Sequence, residues 1–192
     1  MHPIIFVIGI GWVVFWVGWL IAAFTAKSSR GRPGQFGWFA IGRIALIVVV
    51  ILAVHRSLNG HSLSGHGALS ATTDAALAGV GLALWVAGLA LAVWARLYIG
   101  RNWGMPMTRR EEPELVTTGP YRFIRHPIYT GIIGALAGTA LATSLYALIA
   151  VAVLFAYFAF SAYREESFLA REFPGAYPAY RARTKMLVPF VF

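Results

Sequence analysis

Two stretches of this sequence carry the residue types that do chemistry. The first is Leu115-Val-Thr-Thr-Gly-Pro-Tyr-Arg-Phe-Ile-Arg-His-Pro-Ile-Tyr-Thr-Gly131, which sets Tyr121, Arg122, Arg125, His126 and Tyr129 at the threshold of an apolar run. Pro127 suits the first turn of a helix. A helix start exposes backbone N–H groups, so this one suits a carboxylate or a phosphate. Read structurally, the same arginines are topology anchors and the tyrosines belong to an interfacial belt. The second stretch is Tyr163-Arg164-Glu165-Glu166, at the end of another apolar run. Ionisable groups so close to hydrocarbon need partners. The two carboxylates can take hydroxyls or an amine of a polar ligand, or pair with the loop arginines.

Other chemistries are absent. With no cysteine in the chain, thiol nucleophiles, Cys-ligated metals, disulfides and S-palmitoylation are all excluded. His55, His61 and His66 fall among Ser, Gly and Asn without the i, i+4 spacing of a helical metal pair, so they read as a solvated loop and no metal site is expected.

The elements that must position the two stretches are membrane helices. Of the 192 residues, 59% are apolar and only 12% charged, against about half and a quarter in a soluble domain. At roughly 20 apolar residues per crossing this composition supplies about five spans. The sequence places them at residues 3–24, 36–54, 75–95, 128–143 and 145–163. The first run is too long for a signal-peptide core and has no basic residue before it, so it reads as a retained span. Arg43 lies in the second, where it can snorkel toward the nearer interface. Gly79, Gly81 and Gly88 in the third, and Gly134 and Gly138 in the fourth, offer close helix contact. The near-absence of a linker between the last two implies an antiparallel hairpin. The polar tail from Arg164 opens as a helix, and its apolar end, residues 186–192, suits the membrane surface. The expected architecture is therefore an all-α integral membrane bundle of five transmembrane helices, with a polar cytoplasmic loop and a C-terminal helical tail. It is a single membrane domain, its core at 75–192 preceded by two N-terminal spans and an external loop at 1–74.

Charge orients the bundle. The formal net charge of +9 would suggest nucleic acid in a soluble chain, but here it reads as topology and no nucleic-acid partner is expected. Fourteen of the sixteen Lys and Arg residues lie after the first span, after the third, or in the tail. With five spans these segments share one side, which the positive-inside rule makes cytoplasmic, with the N-terminus outside.

Gly119-Pro-Tyr-Arg-Phe-Ile-Arg-His-Pro-Ile-Tyr-Thr-Gly131, followed after a hairpin by Glu165-Glu166-x-x-Leu169, then Phe173, Tyr177, Tyr180 and a basic stretch ending near Pro189, closely resembles the isoprenylcysteine carboxyl methyltransferase family. That family belongs with phospholipid methyltransferases among integral-membrane enzymes. The resemblance covers residues 95–189 and implies methyl transfer from S-adenosylmethionine to a lipophilic acceptor that enters from the membrane. By motif position, Arg125, His126, Pro127, Tyr129 and Gly131 would line the cofactor site, with Tyr121 nearby and Glu165 and Glu166 closing it. Arg96, leading Ala95-Arg-Leu-Tyr-Ile-Gly-Arg-Asn-Trp103, is similar in position to an arginine used near the reacting carboxylate, and Arg164 is a second candidate for that role. A guanidinium would orient a carboxylate bidentately. The implied acceptor is a carboxylate of an isoprenoid-type or prenylcysteine-like molecule. An already ionised carboxylate needs no general base, so alignment and exclusion of water would supply catalysis. An amine would need Glu165, Glu166 or His126 to take its proton. The competing readings are a membrane sterol-type reductase using NADPH and a non-enzymatic scaffold.

Overall fold

The structure, a computed structural model, describes residues 3–23, 29–30, 71–100, 109–110 and 114–188. The expected second span at 36–54 with Arg43, the loop holding His55, His61 and His66, residues 101–108 and 111–113, and the end of the tail at 189–192 lie outside the described residues.

The described architecture is a helical membrane bundle. Its α-helices are α1 (Pro3–Ala23), α2 (Ala71–Ile99), α3 (Pro127–Thr143), α4 (Ala147–Glu172) and α5 (Tyr177–Arg183), with a 3-10 turn over Gly119–Arg122. Three of them are long and apolar enough to cross a bilayer, over Pro3–Ala22, Asp74–Ile99 and Ala147–Glu172, while Pro127–Thr143 is a shorter apolar helix. A two-residue antiparallel pairing joins β1 (Ser29–Arg30) to β2 (Arg109–Arg110), with Ser29 opposite Arg110 and Arg30 opposite Arg109. It ties the segment after α1 to the segment after α2.

The centre of the bundle is a seam of small residues between α2 and α3. In lipid no hydrophobic force drives one apolar helix onto another, so close backbone approach must come from residues without bulk. Gly81 and Gly88 on α2 meet Gly138 and Gly131 on α3 in antiparallel order. A Cβ on Gly81 would lie 2.6 Å from the Gly138 carbonyl oxygen, and one on Gly131 would lie 2.5 Å from the Gly88 carbonyl oxygen. The spacing of seven on each helix is close to two turns, which returns the small residue to the same face. Ala92, Ala95, Ala135 and Ala142 continue the buried seam. The sequence offered other glycines for this contact. Gly79 has nothing within 4 Å, and a Cβ on Gly134 would come no closer than 3.8 Å to the Gly88 Cα. The packing face follows the seven-residue spacing rather than the Gly134–Gly138 pair.

Helix α1 lies across this seam. Gly11 admits the Trp85 indole, and Ala22 receives the Arg96 guanidinium on its carbonyl at 2.6 Å. Those two contacts share one offset, so α1 and α2 run in the same direction, the relation expected of first and third spans. The Trp12 indole N–H donates to Thr139 Oγ1 at 3.0 Å, and Thr139 Oγ1 donates to the Ala135 carbonyl at 2.9 Å, which satisfies a buried polar pair.

The tail departs from its expected form. Between residues 147 and 172 neither glycine nor proline interrupts the chain, so the last span and the acidic stretch are one helix, α4. At 1.5 Å per residue its 26 residues reach ~39 Å, beyond the ~30 Å hydrocarbon core. Pro174 and Gly175 then turn the chain into α5, after which Lys185 and Met186 pass beside Ile124–His126. Ile124 and Lys185 form a parallel bridge, Arg125 N–H donates to the Lys185 carbonyl at 2.8 Å, and His126 N–H donates to the Met186 carbonyl at 3.1 Å. Leu187 is buried, so the tail up to residue 188 is docked on the protein.

The seam makes a direct prediction. Gly88→Ala places a methyl against the Ala135 backbone and 2.5 Å from the Gly131 carbonyl, and should cost about 1–3 kcal/mol, the usual range for overpacking. Gly79→Ala, with open space around it, should leave thermal unfolding in detergent unchanged.

Candidate active site at the end of the bundle

The C-terminal ends of α2 and α4 and the start of α3 meet at one end of the bundle, because α3 is antiparallel to both neighbours. The turn before α3 is set by glycine. Gly119 has φ +59°, and a side chain there would also strike the Tyr98 ring at 2.6 Å. Tyr98 donates from its hydroxyl to Thr118 Oγ1 at 2.8 Å, which pins the turn to the end of α2.

Arg125 and Glu166 form the buried heart of this end. Arg125 Nε donates to Glu166 Oε1 at 2.6 Å, with side chains only 9% and 5% exposed. The same guanidinium donates from Nη1 to the carbonyls of Arg181, at 3.3 Å, and Thr184. It therefore clamps α4, the end of α5 and the tail together. Arg181 Nε, from the tail, lies 3.5 Å from Glu166 Oε2.

His126 sits between the two carboxylates. Its Nδ1 is 3.7 Å from Glu165 Oε2 and its Nε2 is 3.5 Å from Glu166 Oε1, contacts too long for good hydrogen bonds. Nε2 is buried without a hydrogen-bond partner. The imidazole stacks on the Tyr129 ring, with centroids 5.4 Å apart and planes 4° from parallel. Tyr129 in turn donates from its hydroxyl to Glu165 Oε2 at 3.1 Å. Glu165 keeps a 29% exposed side chain, so it is the carboxylate of the pair with room for another molecule.

The remaining expected residues are placed differently. Pro127 is the first residue of α3 and fully buried. Gly131 faces α2, packed on Gly88 and Ala92 in the seam, five residues beyond His126. Tyr121 is buried, with its hydroxyl donating to the Ala95 carbonyl at 3.3 Å, and its own carbonyl accepts from the Tyr180 hydroxyl at 2.7 Å. Arg96 is buried and donates to the Gly100 carbonyl at 3.0 Å and the Ala22 carbonyl at 2.6 Å. It sits at the C-terminal ends of two parallel helices, where a cation is favoured by both dipoles. Arg164 is exposed and lies two residues before Glu166, roughly 200° around the helix, so it does not join the cluster.

Several partners carried no readable signal. Thr130 Oγ1 donates to the Leu187 carbonyl at 2.6 Å, and together with His126 N–H on Met186 it gives part of the helix start to the tail rather than to an anion. Tyr177 and Tyr180 were visible only as part of the family pattern. Burial raises both phenols above their ordinary range, and the Glu166 charge adds to the effect on Tyr177. Tyr180 accordingly remains the neutral donor that its bond to Tyr121 requires. Among the described residues no group of three or more His, Asp or Glu side chains is placed to hold a metal ion.

The geometry separates residues committed to internal contacts from the partly exposed Glu165. Glu166→Ala leaves the Arg125 charge buried without its counter-ion and should cost about 3–5 kcal/mol, seen as a large drop in melting temperature. Arg96→Ala removes two charged hydrogen bonds that dock α1 on α2 and should cost about 2–3 kcal/mol in the same measurement. A stable Arg96→Ala protein with lowered turnover alone would return Arg96 to the acceptor side.

Comparison with known proteins accords with this arrangement. A stretch of 150 residues is 33% identical to the cobalt-zinc-cadmium resistance protein CzcN of Cupriavidus metallidurans, covering 77% of this chain and 63% of that protein. Over 152 residues the chain is 34% identical to the nickel-cobalt-cadmium resistance protein NccN of Alcaligenes xylosoxydans xylosoxydans, covering 77% of this chain and 64% of that one. The chain thus spans less than two-thirds of the length of these relatives. Among solved structures, the eukaryotic intramembrane Ras methyltransferase, isoprenylcysteine carboxyl methyltransferase, shares the fold with a TM-score of 0.58 at 24% identity, over 84% of this chain and 54% of that one. The phospholipid methyltransferase family matches residues 77–176, which span the seam, the Arg-His-Pro turn and both carboxylates, and the chain belongs to that family.

Proposed function

We propose that this chain is an S-adenosylmethionine-dependent methyltransferase acting on a lipophilic, membrane-embedded acceptor. The observation that carries the reading is the cluster of Glu165, Tyr129 and His126 held at the end of the membrane bundle by the buried Arg125–Glu166 pair. Family membership supports it.

The residues present fit the cofactor. A sulfonium nucleoside with an amino-acid tail needs a carboxylate for its hydroxyls or amine, an aromatic face, and polar groups short of a partner. Glu165 is partly exposed, His126 and Tyr129 stack in parallel, and His126 Nε2 is buried without a hydrogen bond. When bound, S-adenosylmethionine supplies an electrophilic methyl group on positively charged sulfur. Glu165 is the residue that accepts hydrogen bonds from the ligand, with its direction fixed by the Tyr129 hydroxyl. Arg125 and Glu166 position the Arg-His-Pro turn and exclude water beneath it.

The acceptor class is the carboxylate of an isoprenoid-type or prenylcysteine-like molecule, which needs only alignment. For an amine, Glu165 or His126 stands where a proton would be received. Lys and Arg bias puts this end of the bundle on the cytoplasmic side.

Calorimetric titration of the detergent-purified protein tests the donor half of the reaction. S-adenosylmethionine and its demethylated product should bind and NADPH should not. Glu165→Gln should weaken that binding by about tenfold or more, the worth of one charged hydrogen bond, at an unchanged melting temperature. NADPH binding alone would make the protein a reductase, and a folded protein that binds none of the three would be a scaffold.

A further inference from the structure

A second charged feature lies on the other side of the docked tail. Arg122, Phe123, Arg183 and Lys185 line an open cavity of about 270 Å³. Three of its four lining residues are cations and none is acidic. The Arg125 and Arg181 charges are absorbed by Glu166, whereas Arg122, Arg183 and Lys185 make no ion pair with any carboxylate among the described residues. Three like charges around one concavity repel one another, and the arrangement is relieved by an anion between them.

The cavity is built rather than incidental. Lys185 is fixed by its backbone bridge to Ile124 and by the Arg125 N–H bond to its carbonyl at 2.8 Å. Thr184 is buried and Lys185 is turned outward. Arg183 is steadied over the Tyr180 ring at 5.8 Å and Arg122 over the Phe123 ring at 5.3 Å, each a cation on an aromatic face. Phe123 remains 55% exposed. An exposed phenylalanine among cations, four residues before an apolar helix begins, gives the rim both a charged and an apolar surface.

We propose that this cavity binds a phosphate anion carried by the headgroup of an anionic phospholipid. The three cations take the phosphate oxygens, and Phe123 enters the acyl boundary beside them. Guanidinium and ammonium groups both suit phosphate, the former bidentately. The apolar rim favours the lipid over free phosphate as the source of that anion. The site is separate from the Glu165 cluster and does not depend on the methyltransferase reading.

Native mass spectrometry of the detergent-purified protein tests it, with phosphatidylglycerol, phosphatidylcholine and inorganic phosphate as probes. Wild type and a charge-retaining R122K/R183K variant should keep phosphatidylglycerol but not phosphatidylcholine. The R122Q/R183Q/K185Q variant should lose it, by about fivefold in affinity for each charge removed, at an unchanged melting temperature. Should the triple variant fail to fold, Lys185→Gln alone, at an exposed side chain, should show the single fivefold step. Binding of inorganic phosphate with no retention of phosphatidylglycerol would keep the anion site and overturn the lipid as its source. Equal retention of phosphatidylglycerol by wild type and the neutralised variants would overturn the proposal.

Discussion

The buried Arg125–Glu166 pair is the constraint on which this end of the molecule depends. Withdrawing two charges from water costs several kcal/mol for each ion, and their mutual attraction repays it only when the geometry is good and the remaining donors are satisfied. Here the carboxylate takes Nε at 2.6 Å while Nη1 reaches the carbonyls of Arg181 and Thr184. One guanidinium thereby joins three segments distant in sequence: the turn before α3, the end of α4 and the tail. Such a pair contributes less to net stability than to uniqueness, because any other register of the tail strands a charge in a low-dielectric interior.

The glycine seam does for the bundle what the ion pair does for its end. With Gly81, Gly88, Gly131 and Gly138 in backbone contact, α2 and α3 cannot slide past one another without driving a side chain into a main chain. That contact fixes the height of the Arg-His-Pro turn relative to the end of α2, and Gly119 against Tyr98 fixes its rotation. The stacking of His126 on Tyr129 follows, since the two are three residues apart around the first turn of a helix whose start is already set. Precision at the site is inherited from small residues well away from it.

How much of this was legible in the sequence depends on which physical signal each residue carries. Apolar runs and the short hairpin linker announced the helices, because length and composition suffice. The Arg-His-Pro turn and the paired glutamates announced a site, because charge beside hydrocarbon demands a partner. Facing directions were harder. A helix that is apolar all round has no moment to read, so Gly134 looked as good a packing residue as Gly138, and the place of Gly131 in the seam could not be read. Arg96 was legible as a candidate for orienting a carboxylate but not as a donor to Ala22, a residue 74 positions away on another helix. The docked segment at 184–188 carried least of all, since a short irregular segment held by backbone bonds has no periodicity.

The adjacent carboxylates show how local geometry assigns roles that composition leaves equal. Neighbouring residues on an α-helix point about 100° apart, so Glu165 and Glu166 flank His126 from different directions and differ in their other partners. Glu166 turns into the protein, and its charge is spent on Arg125, with Arg181 near its other oxygen. Glu165 turns outward, meeting only a neutral hydroxyl from Tyr129 and an imidazole edge beyond good hydrogen-bond reach. With Glu166 committed to Arg125 and Arg181, Glu165 is left without a guanidinium partner among the described residues.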